Sequence, residues 1–151
     1  QPGHDLFEAK GVVAQVALGS SHGQLVKAMV EAERYNGPSI IIAYSACIAH
    51  GIDMAHGMEQ EDRAVKSGHW MLYRYNPELI EQGKNPLQLD SKEPTIQFSE
   101  YAYNEIRFRS LKAMDPARAQ KLLELGQQDC DRRWQLYSQL AKLDYSKPEK
   151  K

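Results

Sequence analysis

The sequence has little of what marks the common function classes. Only two of its 151 residues are cysteine, Cys47 and Cys130, so no disulfide framework is implied. Neither charge sign dominates, with 19 Lys and Arg against 20 Asp and Glu and a formal net charge of −1. Without a basic surplus there is no electrostatic case for a nucleic acid partner or an anionic membrane surface. No apolar run is long enough to span a bilayer, and no signal-peptide pattern is present. A Walker pattern, dinucleotide-type glycine spacing, internal repeats and low-complexity segments are all missing. What remains is a chain of single-domain length, expected in the reducing cytoplasm. Its opening, Gln1-Pro2-Gly3, reads as the interior of a longer protein.

What is there centres on Cys47. The run Ser39-Ile40-Ile41-Ile42-Ala43-Tyr44 has the length and β-branched content of a fully buried strand. Small residues, Cys47, His50 and Gly51 follow at once. In an open parallel sheet, ligands bind outside the carboxyl ends of the strands. Cys47 is therefore placed where an α/β protein keeps its chemistry, as a nucleophile, a metal ligand or a core filler. Burial as a small hydrophobe is the commonest fate of a free cysteine.

Around that run the pattern is α/β. Residues 5–10 read as a helix end stopped by Gly11, and residues 12–18 as a buried strand. Ser21 and Gln24 stand at capping-box spacing before a helix whose apolar face is Leu25, Val26, Met29, Val30 and Ala32. Asn36-Gly37-Pro38 stops it, with Gly37 suited to a left-handed cap. Strand, helix and the 39–44 strand form a parallel βαβ unit. A second helix fits residues 53–67, its acidic middle at 59–62 facing water, and a third strand fits 70–75. Pro77, Gly83, Pro86 and Pro94 make residues 76–94 a long irregular connection. From Ile96 the chain reads as helical. Asp115-Pro116 forms a cap, followed by an apolar stripe of Ala119, Leu122, Leu123, Cys130, Trp134, Tyr137 and Leu140 and a polar tail at 146–151. The expected fold is a partial, half doubly wound parallel sheet of about three strands with flanking helices, followed by a helical carboxyl-terminal extension. Its parts are residues 1–95 and 96–151. Three strands are few for a sheet that needs cover on both faces, so the pattern looks like half of a larger domain.

Other constellations are weaker. His50, Asp53 and His56 could share a helix face and a metal, though that spacing is common by chance. Cys47 beside His50 could be an activated thiol, but no third orienting group is evident. Gly19-Ser20-Ser21-His22-Gly23 joins a strand to a helix, where a phosphate could sit, yet a plain capped turn suits it better. Trp70, Tyr73, Arg74 and Tyr75 could stack a base or form a buried aromatic face. Cys130, on the last helix's stripe, reads as core packing. Lys92 and Glu93 read as solvated or paired with a neighbouring domain.

Several segments together resemble a known family. Tyr44-Ser45-Ala46-Cys47-Ile48-Ala49-His50-Gly51 is one, and Glu31-Ala32-Glu33-Arg34-Tyr35-Asn36-Gly37-Pro38-Ser39 precedes it. Lys66-Ser67-Gly68-His69-Trp70-Met71-Leu72-Tyr73-Arg74-Tyr75-Asn76-Pro77 follows, and then the most distinctive, Gly83-Lys84-Asn85-Pro86-Leu87-Gln88-Leu89-Asp90-Ser91-Lys92-Glu93-Pro94. In order and spacing they resemble the carboxyl-terminal part of the thiamine-diphosphate domain of pyruvate:ferredoxin (flavodoxin) oxidoreductases.

The resemblance implies a segment of an enzyme that decarboxylates a 2-oxo acid on thiamine diphosphate, sends electrons through 4Fe–4S clusters to ferredoxin or flavodoxin, and passes the acyl group to coenzyme A. It implies that Cys47 is one ligand of the cluster nearest the thiamine cofactor; soft thiolate suits iron. The family's Gly-Asp-Gly cofactor motif and its Cys-x-x-Cys ligands are absent here and belong upstream. No catalytic or cofactor-binding residue is therefore assigned, no cofactor is expected on this chain alone, and the chain alone should be inactive. Its partners would be the remainder of its own polypeptide, ferredoxin or flavodoxin, and further copies in a homo-oligomer. The competing reading is a non-enzymatic α/β interaction module that docks a partner through its helical end.

Overall fold

The computed structural model describes residues 11–146. The helix end expected at 5–10, the opening tripeptide, His4 and residues 147–151 of the tail lie outside them. Strand β1 (Val12–Val16) leads through a turn into helix α1 (His22–Arg34), which returns to strand β2 (Ser39–Ala43). Two single 3-10 turns, Ile48–His50 and Met54–His56, precede helix α2 (Gly57–Lys66). Strand β3 (Tyr73–Tyr75), the short helix α3 (Glu78–Glu81) and strand β4 (Leu87–Leu89) follow. Helices α4 (Phe98–Ala102), α5 (Ile106–Met114) and α6 (Pro116–Leu140) close the chain.

The fold is α/β, with a partial, open sheet, flanking helices and a helical end. The sheet has four strands in the order β2-β1-β3-β4. β1 and β2 are parallel, as the βαβ pattern requires, with Val13 opposite Ile40 and Gln15 opposite Ile42. β3 and β4 run antiparallel, and β4 lies inside the expected irregular connection. At three residues it is too short for a period-2 signal to stand out from its proline-rich surroundings.

Alternation along the strands separates two faces. Ala14, Val16 and Ile41 point to one face and pack with Ala28 and Leu25 of α1. Arg74, opposite Ala14, projects to the same face and pairs with Glu31 of α1 and, at 2.8 Å, with Asp90. Tyr73 and Tyr75 project to the other face, where Tyr73 stacks on Tyr137 of α6 at 5.2 Å. A second core joins Ala64 of α2, Phe98, Tyr101 and Ala102 of α4, and Cys130 of α6, with Trp70 and Tyr44 packed against it. Gly126 lets α6 approach closely: a Cβ there would stand 2.6 Å from the Phe98 ring.

Four local expectations are corrected. β2 is an edge strand and not a buried one: Ile41 is partly covered on the α1 face, while on the other face Ile40 is 58% and Ile42 41% exposed. α1 lays Gln24 and Ala28 against the sheet and turns Val26, Met29 and Val30 outward. Its last turn leaves through an extended Tyr35, and Gly37 does not take the left-handed conformation. In α2 only part of the acidic run meets water: Glu59 is exposed, while Gln60 and Glu61 are buried. Both expected N-caps form, though the Gln24 amide turns to the Gln15 carbonyl and Asp90 instead of closing a capping box. Ser21 accepts from the Gln24 N–H and Asp115 from the Arg118 N–H, with Pro116 at the first helical position. Among the described residues no helix is long and apolar enough to cross a membrane.

Candidate functional site

β2 hands the chain to Cys47 without a break. The ladder extends one residue past the strand through Tyr44 N–H to Val16 C=O at 2.9 Å. Cys47 then opens the 3-10 turn Ile48–His50 from an extended conformation, with a free, partly exposed thiol. It therefore lies beyond the carboxyl end of a parallel strand, where the sequence pattern puts it. The turn closes by His50 N–H to Cys47 C=O at 3.0 Å and Gly51 N–H to Ile48 C=O at 2.9 Å. Gly51 has a φ of 70°, and a Cβ there would stand 2.5 Å from Ile106. Both facts call for glycine.

The surroundings of the turn are polar and mostly buried. Glu105 is 1% exposed. It accepts from Arg107 Nε and, at 3.2 Å, from Gln60 Nε2, and its Oε2 stands 4.0 Å from His50 Nδ1. Gln60 Nε2 also donates to the Tyr101 carbonyl at 3.1 Å. The Tyr101 and Tyr44 hydroxyls are 2.8 Å apart. Burial pushes the pKa of both tyrosines up, so both stay protonated. Trp70 stands edge-on to Tyr44 at 5.3 Å and donates its Nε1–H to the Val16 carbonyl. His69 stacks on Tyr101 at 4.7 Å, and desolvation, helped by Arg133, lowers its pKa to about 4.

The other candidates are not gathered. His50 faces Glu105 and Arg107, whereas His56 faces Glu59 at 3.2 Å and Asp53 at 3.9 Å, because separate 3-10 turns replace the shared helix. Among the described residues no group of three or more His, Cys, Asp or Glu side chains is placed to hold a metal ion. The Gly19-Ser20-Ser21 turn is filled from within: Glu61 accepts the Gly19 N–H at 2.8 Å and Asp62 the Ser20 hydroxyl at 3.1 Å. Carboxylates occupy the place a phosphate would need, so this is the plain capped turn. Trp70, Tyr73, Arg74 and Tyr75 form no platform, since Arg74 is held by Asp90 and Glu31 on the face opposite Tyr73 and Tyr75. Cys130 is fully buried, with its thiol pKa raised by burial. Lys92 and Glu93 are exposed.

Sequence reasoning missed Gln60, Tyr101 and Glu105. Their signal is slight: an amide within a charged run, a carboxylate beside Asn104 and Arg107, and no spacing that ties them to Cys47.

No family model matches the chain. Known proteins do. Over 129 residues it is 56% identical to a pyruvate-flavodoxin oxidoreductase of Nostoc sp. and 49% identical to a pyruvate:ferredoxin oxidoreductase of Moorella thermoacetica. Over 131 residues it is 46% identical to a pyruvate-flavodoxin oxidoreductase of Enterobacter agglomerans. Each match takes in 85% of this chain, and the chain spans 11% of the length of each relative.

Proposed function

This chain belongs with the pyruvate:flavodoxin and pyruvate:ferredoxin oxidoreductases as a homologue of one segment of them, and we propose that it works as scaffold and single cluster ligand inside such an enzyme. The whole protein would oxidatively decarboxylate pyruvate or a close 2-oxo acid in the cytoplasm. Ferredoxin or flavodoxin would take the electrons, coenzyme A the acyl group, and the working unit would be a homo-oligomer. Thiamine diphosphate, when bound, supplies the electron sink, and 4Fe–4S clusters supply the one-electron steps. Residues 1–95 would be the carboxyl-terminal half of the thiamine domain and residues 96–151 its helical extension.

The bare side of the molecule carries this reading. Among the described residues β2 presents an unpaired backbone edge with Ile40 and Ile42 exposed, and no Lys, Pro or bulge within the strand blunts it. On α1, Glu31 reaches toward β3, and Leu25 packs against the same cluster as Ile41 of β2. Val26 and Met29 continue round the helix on the β2 side, 59% and 54% exposed. A parallel strand pair is normally covered on both faces. Strand and helix surface left open on one side is what half of a larger α/β domain presents. The interaction-module reading has less support, because the helical end buries Ala119 and Cys130 within this chain.

The donor chemistry fits one corner of a cluster. Cys47 offers a free, partly exposed thiol at the strand end, and Cys130 is sealed in the core. Cys47 would hold one iron, with the remaining thiolates coming from elsewhere in the polypeptide. In the full-length enzyme, Cys47→Ser exchanges soft sulfur for hard oxygen. Electron paramagnetic resonance should then show one cluster altered or lost, and stopped-flow reduction of ferredoxin or flavodoxin should slow at unchanged thiamine binding. Cys130→Ser should leave both intact. Unaltered cluster signals in Cys47→Ser would return Cys47 to the role of core filler.

A further inference from the structure

The segment bearing Cys47 is gripped at both ends by one corner of the chain, the junction between α4 and α5. Three residues before Cys47, the Tyr44 hydroxyl meets that of Tyr101, the last buried aromatic of α4, at 2.8 Å. Three residues after it, His50 Nδ1 faces the buried Glu105 carboxylate at 4.0 Å. One residue further, the Gly51 carbonyl accepts the Ile106 N–H at 3.2 Å, in a contact so close that only glycine fits. Gln60 of α2 ties the two grips together, since its single amide nitrogen donates to both the Tyr101 carbonyl and Glu105. Side chains at both ends of residues 44–51 thus meet residues 101–106, more than fifty positions away in sequence, while the Tyr44 backbone is also held by Val16 of β1.

We infer that Tyr101 and Glu105 are positioning residues that clamp residues 44–51 and so fix where the Cys47 thiol is presented. The inference rests on the reading of Cys47 as a cluster ligand. A cluster donor must be held within a fraction of an ångström, and groups outside the ligand set usually do this. The turn alone cannot, because its two internal hydrogen bonds set its shape but not its placement on the molecule.

The test uses the intact enzyme in five forms: parent, Cys47→Ser, Tyr101→Phe, Glu105→Gln, and Leu123→Ala as a control packed against the same hydrophobic cluster but with no polar group in the clamp. Tyr101→Phe keeps the ring and removes one hydroxyl, and Glu105→Gln keeps the shape and removes the charge. Two quantities are read, hydrogen exchange across residues 45–51 and the midpoint potential and spectrum of each cluster. Tyr101→Phe, which removes the hydroxyl contact to Tyr44, and Glu105→Gln, which removes the carboxylate that faces His50 and anchors Gln60 and Arg107, should each speed exchange several-fold, up to about tenfold, the scale of one lost buried polar contact. Each should also shift the potential of the same cluster that Cys47→Ser alters, while Leu123→Ala lowers the melting temperature and moves neither readout. If Cys47→Ser alters a cluster but the two clamp variants match the parent, the clamp is refuted and the ligand reading stands. If Leu123→Ala shifts both readouts equally, the clamp is only part of the general core and the inference falls. If Cys47→Ser leaves every cluster as in the parent, the ligand reading fails and the clamp fails with it.

Discussion

His69 shows how a single residue carries a pH limit into the core. Its ring lies flat on Tyr101 and 5.5 Å from Phe98, an environment that accepts neutral imidazole and rejects the cation. Its pKa falls to about 4 in the folded chain, against an ordinary 6.5 in the unfolded one. Between those values the unfolded chain binds the extra proton, so stability is full above about pH 6.5 and falls as the pH drops toward 4. The loss should reach roughly 2–3 kcal/mol. Melting curves from pH 7 to 4.5 for the parent and His69→Phe check this, since the variant should lose the part of the slope that His69 contributes. Cys130 makes a complementary case. Its sulfur is fully buried among Ala64, Phe98 and Tyr101, so Cys130→Ser should cost roughly 1–3 kcal/mol by setting a hydroxyl in an apolar site. Cys130→Ala should cost less than that if polarity dominates over lost volume, and chemical denaturation of the pair decides.

At the scale of elements, the joints between them are where substitutions should hurt most. Arg74 of β3 bridges α1 and the chain after β4 through Glu31 and Asp90, and it is 4% exposed. Asp90, foremost, and Glu31 raise its pKa, so it is a permanent cation. Arg74→Met would leave two carboxylates facing each other without their counter-charge, a loss of about 3–5 kcal/mol. A urea midpoint unchanged by Arg74→Met would show that the cluster is solvated enough to dispense with its cation. The elements themselves were largely legible. β1, α1 and β2 follow from an apolar run, a capped helix and a second apolar run, and α6 from Asp115-Pro116 and its stripe, of which Leu122 turns outward. The joints were not. Glu61 capping the Gly19 turn, Arg74 between two acids, and Glu105 beside His50 bring together residues 16 to 55 positions apart. Such pairs leave no local periodicity. For the same reason the inward turn of Gln60 and Glu61 reads in sequence as an ordinary wet helix face. Cys47 was legible by place, because strand end and small residues coincide there, while the residues that hold its segment were not.

For the whole molecule, the open side decides the behaviour. An apolar run of three isoleucines reads as a buried strand, and in a complete domain that reading is sound. Here the run forms an edge, with Ile40 and Ile42 on the face that α6 covers only at the far strands. The consequence is a prediction whose sign depends on context. The chain by itself should associate through the β2 edge as its concentration rises, because paired strand edges and covered isoleucines stabilise contact. Replacing both Ile40 and Ile42 by Lys should keep the isolated chain monomeric in sedimentation velocity at nearly unchanged melting temperature, since neither side chain is buried there. In the full-length enzyme the same double substitution should prevent folding, because each isoleucine would lose a burial worth roughly 1.5–3 kcal/mol and a charge would enter the domain interior. A full-length double-lysine variant that folds and turns over like its parent would mean that β2 is a true edge in the whole protein, and that the chain is not the open half of a larger sheet.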